Sequence, residues 1–202
     1  MTRHMLAQHA PAAKPAAGHG PRGAIGLLSS PGKEIPETYV EFASALGHRL
    51  GHAGADVVFG GDGSGALGAA VRAAIAGGSR VTNVVPAHLM RHRVPLAGCA
   101  VYVVPNDLDH RQLVRRLVRQ FVVLPGGLDT LAALGTHTAR QDHGTPSEPV
   151  VLANLDGYFD PLTRLLDRAL QERVITTQER HMVADAETVD EVLDLLRIPR
   201  AE

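Results

Sequence analysis

The chain has 202 residues, with 20 Lys plus Arg against 21 Asp plus Glu and a formal net charge of −1. That balance provides no global field to recruit nucleic acid or an anionic membrane, and 3% aromatics with no Trp argue against a base-stacking platform for single strands. The single Cys99 excludes an internal disulfide and a cysteine zinc cluster. No apolar run approaches the ~18 residues of a membrane span and no apolar h-region opens the chain, so a cytoplasmic protein is expected.

Residues 1–22 are mostly Ala, Pro, His and Gly, too poor in apolar surface to offset their ordering entropy, and are expected to form a disordered tail. Its His4, His9 and His19 are read as solvated and not as metal ligands. One domain is expected over 23–198, and within it strands and helices alternate. Ala24–Leu28 reads as a strand ending at Ser29-Ser30-Pro31-Gly32. Ile35–His52 is a helix with Tyr39, Phe42, Leu46 and Leu50 on one stripe. Val57–Phe59 is a second strand, running into Gly60-Gly61-Asp62-Gly63-Ser64-Gly65-Ala66-Leu67-Gly68 and a helix to about Ala76. Val81–Val85 and Ala100–Val104 are further strands, and Cys99 beside the latter reads as a buried structural thiol. A helix near Asp107–Val118 leads to the strand Phe121–Leu124. Pro125 stops that strand, two glycines turn the chain, and Asp129 or Thr130 can cap a helix to about His143. Strand Val150–Leu152, a helix over Tyr158–Gln171, a short strand at Val183 and a helix over Val189–Leu195 complete the chain.

Alternating βα units predict an α/β fold: a single Rossmann-like, doubly wound parallel sheet flanked by helices, with ligands beyond the carboxyl ends of its strands. Pro125-Gly126-Gly127 sits at such an end. A strand feeding a glycine turn feeding a helix N-terminus suits an anion, because the first-turn N–H groups lack helical partners. Gly63 to Gly68 fits G-x-G-x-x-G after a strand, yet Arg80-Val81-Thr82-Asn83-Val84-Val85-Pro86 offers no carboxylate for a ribose 2′-hydroxyl, which disfavours NAD. A glycine-rich ligand rim and close helix–strand packing both remain open for it. Arg111, Arg115 and Arg119 share one face at helical spacing, expected to be solvated. Asp129 either caps its own helix or faces ligand. His137 lies one turn beyond Ala133, on the same side. Motifs for zinc hydrolysis or for serine or thiol catalysis do not occur.

The stretch Phe121–Ala133 resembles the signature of the Lonely Guy (LOG) family, long labelled "possible lysine decarboxylase", whose pattern is P-G-G-x-G-T-x-x-E. Pro125, Gly126, Gly127 and Thr130 match it, while its third Gly is Asp129 and its Glu is Ala133. Ser29-Ser30 resembles the family's G-S-S segment, with Leu28 where its Gly belongs. Gly60-Gly61 through Gly68 resembles its G-G-x-x-x-G-L-M-G loop, and Asn154-Leu155-Asp156-Gly157-Tyr158-Phe159-Asp160 its N-x-D-G-Y-Y segment. The resemblance implies hydrolysis of the N-glycosidic bond of a nucleoside 5′-monophosphate, with phosphate on the Pro-Gly-Gly turn and a Glu and an Arg acting at the sugar. Here the Glu position is Ala133 and the family's R-K pair falls on His110-Arg111. A remodelled acid/base set of His110, Arg111, Asp129 and His137 is therefore expected, with Ser29, Gly60, Gly61, Gly63, Pro125, Gly126, Gly127 and Thr130 holding the ligand. A non-catalytic nucleotide- or cofactor-binding relative is the competing expectation. The resemblance further implies a small-molecule nucleotide-like ligand and a homodimer; no cofactor, metal, nucleic acid or membrane partner is expected.

Overall fold

In the computed structural model, which describes residues 23–30, 34–61, 63–90, 96–138 and 149–199, the apolar runs become parallel strands of one sheet. They are β1 (Ala24–Leu28), β2 (Val57–Gly60), β3 (Val81–Pro86), β4 (Ala100–Val104), β5 (Val118–Val123), β6 (Val150–Ala153) and β7 (Val183–Ala186). Their order is β4-β3-β2-β1-β5-β6-β7, and each neighbouring pair is parallel. The strands read as unbroken apolar runs because both sheet faces are covered. Alternate residues serve opposite faces: Val57, Phe59, Val122 and Leu124 join one core, while Val58, Phe121 and Val123 join the other.

The first core is roofed by α1 (Glu37–His52), α2 (Gly65–Ala76) and α8 (Val189–Leu195), through Leu46, Leu50, Leu67, Val71, Val192 and Leu193. The second takes Val114 from α4 (Asp107–Leu117), Leu134 from α5 (Leu128–Thr138), and Leu162 and Leu166 from α6 (Asp160–Gln171). Short helices α3 (Ala87–Met90) and α7 (Thr177–Arg180) were not legible as helices in the sequence; each is a single turn, too short for a periodic stripe. The tail 1–22, with its three histidines, and the expected exit of α5 at His143 lie outside the described residues. No helix among the described residues is long and apolar enough to cross a membrane.

Two expectations change. The helix α4 ends at Leu117 and passes directly into β5, which starts three residues before Phe121. Arg119 is thus on a strand and not on the face of Arg111 and Arg115. Its guanidinium donates to the Leu196 carbonyl (2.6 Å), while Arg115 donates to the Thr136 carbonyl (2.8 Å) and ties α4 to α5. Of the expected solvated arginine face, Arg111 is exposed, while Arg115 and Arg119 are structural anchors. Cys99 is half-buried, its thiol donating to the Leu96 carbonyl (2.9 Å), and burial raises its pKa, which suits an unreactive thiol.

The G-x-G-x-x-G stretch also resolves. Gly63 has φ of 63°, and a side chain at Gly68 would collide with the Gly63 carbonyl. Tight packing of the α2 entry accounts for these glycines without a dinucleotide.

Candidate functional site

The sheet steps outward from β1 to β4, then returns to place β5 on the other side of β1. The loops after β1 and β5 consequently diverge, and the crevice between them at the carboxyl edge is where doubly wound sheets take ligands. These two loops are clipped together. Ser30 N–H donates to Thr130 Oγ1 (2.7 Å), Thr130 Oγ1 donates to Ser30 Oγ (2.9 Å), and Gly127 N–H donates to the same Ser30 oxygen (2.9 Å). Ser29 Oγ donates to the Pro125 carbonyl (3.0 Å). Thr130 is 2% exposed and stands inside α5, so its hydroxyl bridges to β1 and does not cap its own helix. A side chain at Gly126 would strike Thr130 Oγ1, so this tight approach requires glycine.

A third loop braces the turn. Asn154, 2% exposed, accepts from Phe159 N–H (2.6 Å) and donates to Asp160 (2.9 Å), folding the chain after β6 into a tight turn with Asp156 at φ 50°. Tyr158 is thereby set edge-on against Tyr39, ring centroids 5.8 Å apart, and its hydroxyl donates to the Gly126 carbonyl (2.7 Å). The sequence alone gives Tyr158 no role, because its partner is 32 residues away.

Beside this clip lies a cavity of about 240 Å³. Of the residues expected from sequence, Ser29, Gly60, Gly61, His110, Asp129, Thr130 and His137 line it, and Ala133 does so too. Pro125, Gly126 and Gly127, expected to hold ligand, are not among its lining residues; they form the turn tied to Ser29 and Ser30. Gly63 packs towards Leu96 and Phe59, and Arg111 is exposed and outside the lining. Asp107 is a lining residue that sequence reasoning missed; its only signal is its place one helical turn before His110 on α4.

The imidazoles are held by packing. His110 hydrogen-bonds to the Val84 carbonyl, and its Nε2 lies 2.9 Å from where a side chain at Gly60 would begin. Burial lowers the His110 pKa, with Asp107 opposing and Arg111 adding to the shift. His137 lies against the Phe121 ring, centroids 4.0 Å apart and planes inclined by 30°, with its Nδ1 buried and unpartnered. Burial first, then Arg115 and His110, push its pKa down to about 4. Both rings are therefore neutral near pH 7, and the lining offers two neutral imidazoles and two carboxylates, Asp107 and Asp129. A carboxylate can stabilise a cationic transition state or take a proton from water, and a neutral imidazole can hold a leaving group by a hydrogen bond.

The family model described as "Possible lysine decarboxylase" matches residues 67–196. A probable cytokinin riboside 5′-monophosphate phosphoribohydrolase of Oryza sativa subsp. japonica is 34% identical over 83% of this chain and 67% of its own length. A cytokinin riboside 5′-monophosphate phosphoribohydrolase of Arabidopsis thaliana is 33% identical over 83% of this chain and 78% of its own. Among solved structures, the Moco carrier protein of Chlamydomonas reinhardtii superposes with a TM-score of 0.64 at 17% identity, covering 87% of this chain and 96% of that one. The molybdenum cofactor binding protein of Rippkaea orientalis gives 0.63 at 20% identity, with the same coverages. At these identities the structural matches establish the fold alone. The sequence matches go further, and with the βα order, the Ser30–Thr130 clip and the Pro-Gly-Gly turn they lead to one conclusion: this chain belongs to the LOG family.

Proposed function

We propose that the chain is a LOG-like N-glycosidase acting on a nucleoside 5′-monophosphate or a related nucleoside, with an altered active site. The observation that carries the reading is the cavity beside the intact Ser30–Gly127–Thr130 clip, lined by Asp129, His110 and Ala133 where the family pattern has Gly, Arg and Glu, with His137 one helical turn beyond Ala133. Cleavage of the C1′–N bond leaves positive charge on the sugar as the pair of electrons departs with the base. Asp129 would stabilise that charge or activate water, and His110 or His137 would hydrogen-bond the leaving base. Arg111, exposed outside the lining, acts at most through its field.

A second reading is a non-catalytic nucleotide- or cofactor-binding protein. It is favoured by Ala133, which removes the family's carboxylate from the cavity wall, and by a fold shared with proteins named as molybdenum cofactor carriers. Losing one acid/base group costs about 10²–10⁴ in rate, so an unrebuilt site would turn over very slowly. The test is a panel assay: purified chain is incubated with nucleoside 5′-monophosphates and nucleosides, and free base is followed by chromatography. Release that collapses in Asp129→Asn supports the hydrolase. Binding without release across the panel sinks it in favour of the second reading.

A further inference from the structure

The cavity's charge says which of the two ligand forms it takes. Among the described residues its lining contains no Lys or Arg, and its formal charges are the carboxylates of Asp107 and Asp129. Of the α4 guanidiniums, Arg115 donates to the Thr136 carbonyl (2.8 Å), and Arg111 is exposed outside the lining. Burial keeps His110 and His137 uncharged at neutral pH. Two backbone donors of these loops are engaged within the clip, Ser30 N–H on Thr130 and Gly127 N–H on Ser30. Thr130 and Leu131 N–H turn back on the Gly127 carbonyl (3.0 and 3.2 Å). The α5 N-terminus offers an anion a field of about half an elementary charge, and Asp129 places a full negative charge on that same turn. Two carboxylates suit sugar hydroxyls, which donate hydrogen bonds, and the rest of the wall is largely apolar: Leu27, Val58, Phe59, Val114 and Phe121.

We infer that the ligand of this cavity is an uncharged ribonucleoside, its sugar hydroxyls towards Asp107 and Asp129 and its base beside His110 and His137, and not a nucleoside 5′-monophosphate. This rests on the nucleoside-type reading above and narrows it. If turnover follows, the C1′–N electron pair leaves with the base and the water oxygen bonds C1′. One water proton stays on the new hydroxyl and the other ends on the base nitrogen, so the products are free base and free ribose.

The experiment compares each of the common ribonucleosides with its own 5′-monophosphate on the full chain, reading binding by calorimetry and base release by chromatography. Binding is measured in about 0.02 M and 0.5 M salt, where screening lengths differ severalfold. The expected result is a nucleoside bound at least ~10-fold more tightly than its monophosphate at low salt, because a phosphate meets two like charges. The gap should narrow as salt screens that repulsion, and Asp129→Asn should shift the ratio about tenfold towards the monophosphate. A monophosphate that binds more tightly, with affinity falling as salt rises, overturns the inference even if it is hydrolysed, and the hydrolase reading then stands without it. A nucleoside bound more tightly but never cleaved supports the inference and sinks the hydrolase reading. Binding of neither form overturns both.

Discussion

His137 allows the burial argument to be tested by pH alone. Its ring lies on Phe121 from β5, and Arg115 and His110 of α4 act on it, while Asp107 and Asp129 line the cavity that it also lines. Burial and the Arg115 charge lower its pKa from the ordinary 6.5 to about 4. Below about pH 6.5 the unfolded chain takes up a proton at this position, and the folded chain refuses it until about pH 4. The stabilisation is thus complete above that window and is lost as pH falls through it. At 1.36 kcal/mol per pH unit, the fall from 6.5 to about 4 is worth about 3 kcal/mol. His137→Phe keeps a ring against Phe121 and removes both the titration and the orphaned Nδ1. Urea unfolding of both proteins at steps from pH 7.5 to 4 isolates this residue, because His110 and the exposed histidines remain in each. The wild type should lose about 3 kcal/mol more than the variant across the window. Stability curves that run parallel to within ~0.5 kcal/mol would show that His137 is solvated in the folded protein, and the account of a dry imidazole wall would fail.

Other expectations follow from the same contacts. Thr130→Val strands the Ser30 N–H and removes the bridge between the β1 and β5 loops, so it should cost about 1–3 kcal/mol in urea unfolding. A loss under ~0.3 kcal/mol would mean that the clip contributes nothing. The triple change His110→Arg, Asp129→Gly, Ala133→Glu restores the family's groups on lining positions, and release of adenine from AMP should rise at least ~10²-fold over wild type. An unchanged rate would show that the scaffold no longer presents the sugar to residue 133. From the family resemblance a homodimer is expected, which sedimentation at micromolar concentration checks against the 21.4 kDa of one chain.

The parts of this fold that were legible in the sequence are those with local causes. Strands buried on both faces show as short apolar runs, and the βα alternation fixes a parallel sheet whose functional edge can be named before any contact is known. Helical spacing also put Ala133 and His137 on one side, and both line the cavity. The start of β5 was hidden because Val118-Arg119-Gln120 carries a charge and an amide, both used to hold the far edge of the sheet: Arg119 to Leu196, Gln120 to the Pro149 carbonyl (3.0 Å). No periodicity announces such a strand. Thr130 was misassigned for a related reason. Its spacing suits a cap, and its actual partner is 100 residues earlier. Asp107 and Tyr158 likewise gain their places only when β1, β4, β5 and β6 are brought side by side.

The contacts that hold this turn and the groups that would act on a sugar are separable. Ser29, Ser30, Thr130, Asn154 and Tyr158 fix the Pro-Gly-Gly segment through carbonyls, N–H groups and hydroxyls, and none of those bonds involves residues 110, 129 or 133. Asp129 is exposed and Ala133 half-buried on the cavity side of α5, so neither side chain fills a core position. Substitution there changes the charge and reach of the cavity wall with little folding cost, since surface changes away from caps, cores and networks usually stay within ~0.5 kcal/mol. His110 is the exception, being wedged between Gly60 and the Val84 carbonyl, where a longer Arg must extend further into the cavity or out of it. That makes position 110 the coupled one. A carboxylate at 133 without a cation at 110 would add a third negative charge to a wall that already holds Asp107 and Asp129. Ala133→Glu alone should therefore bind a nucleoside monophosphate worse than wild type, and regain it only together with His110→Arg.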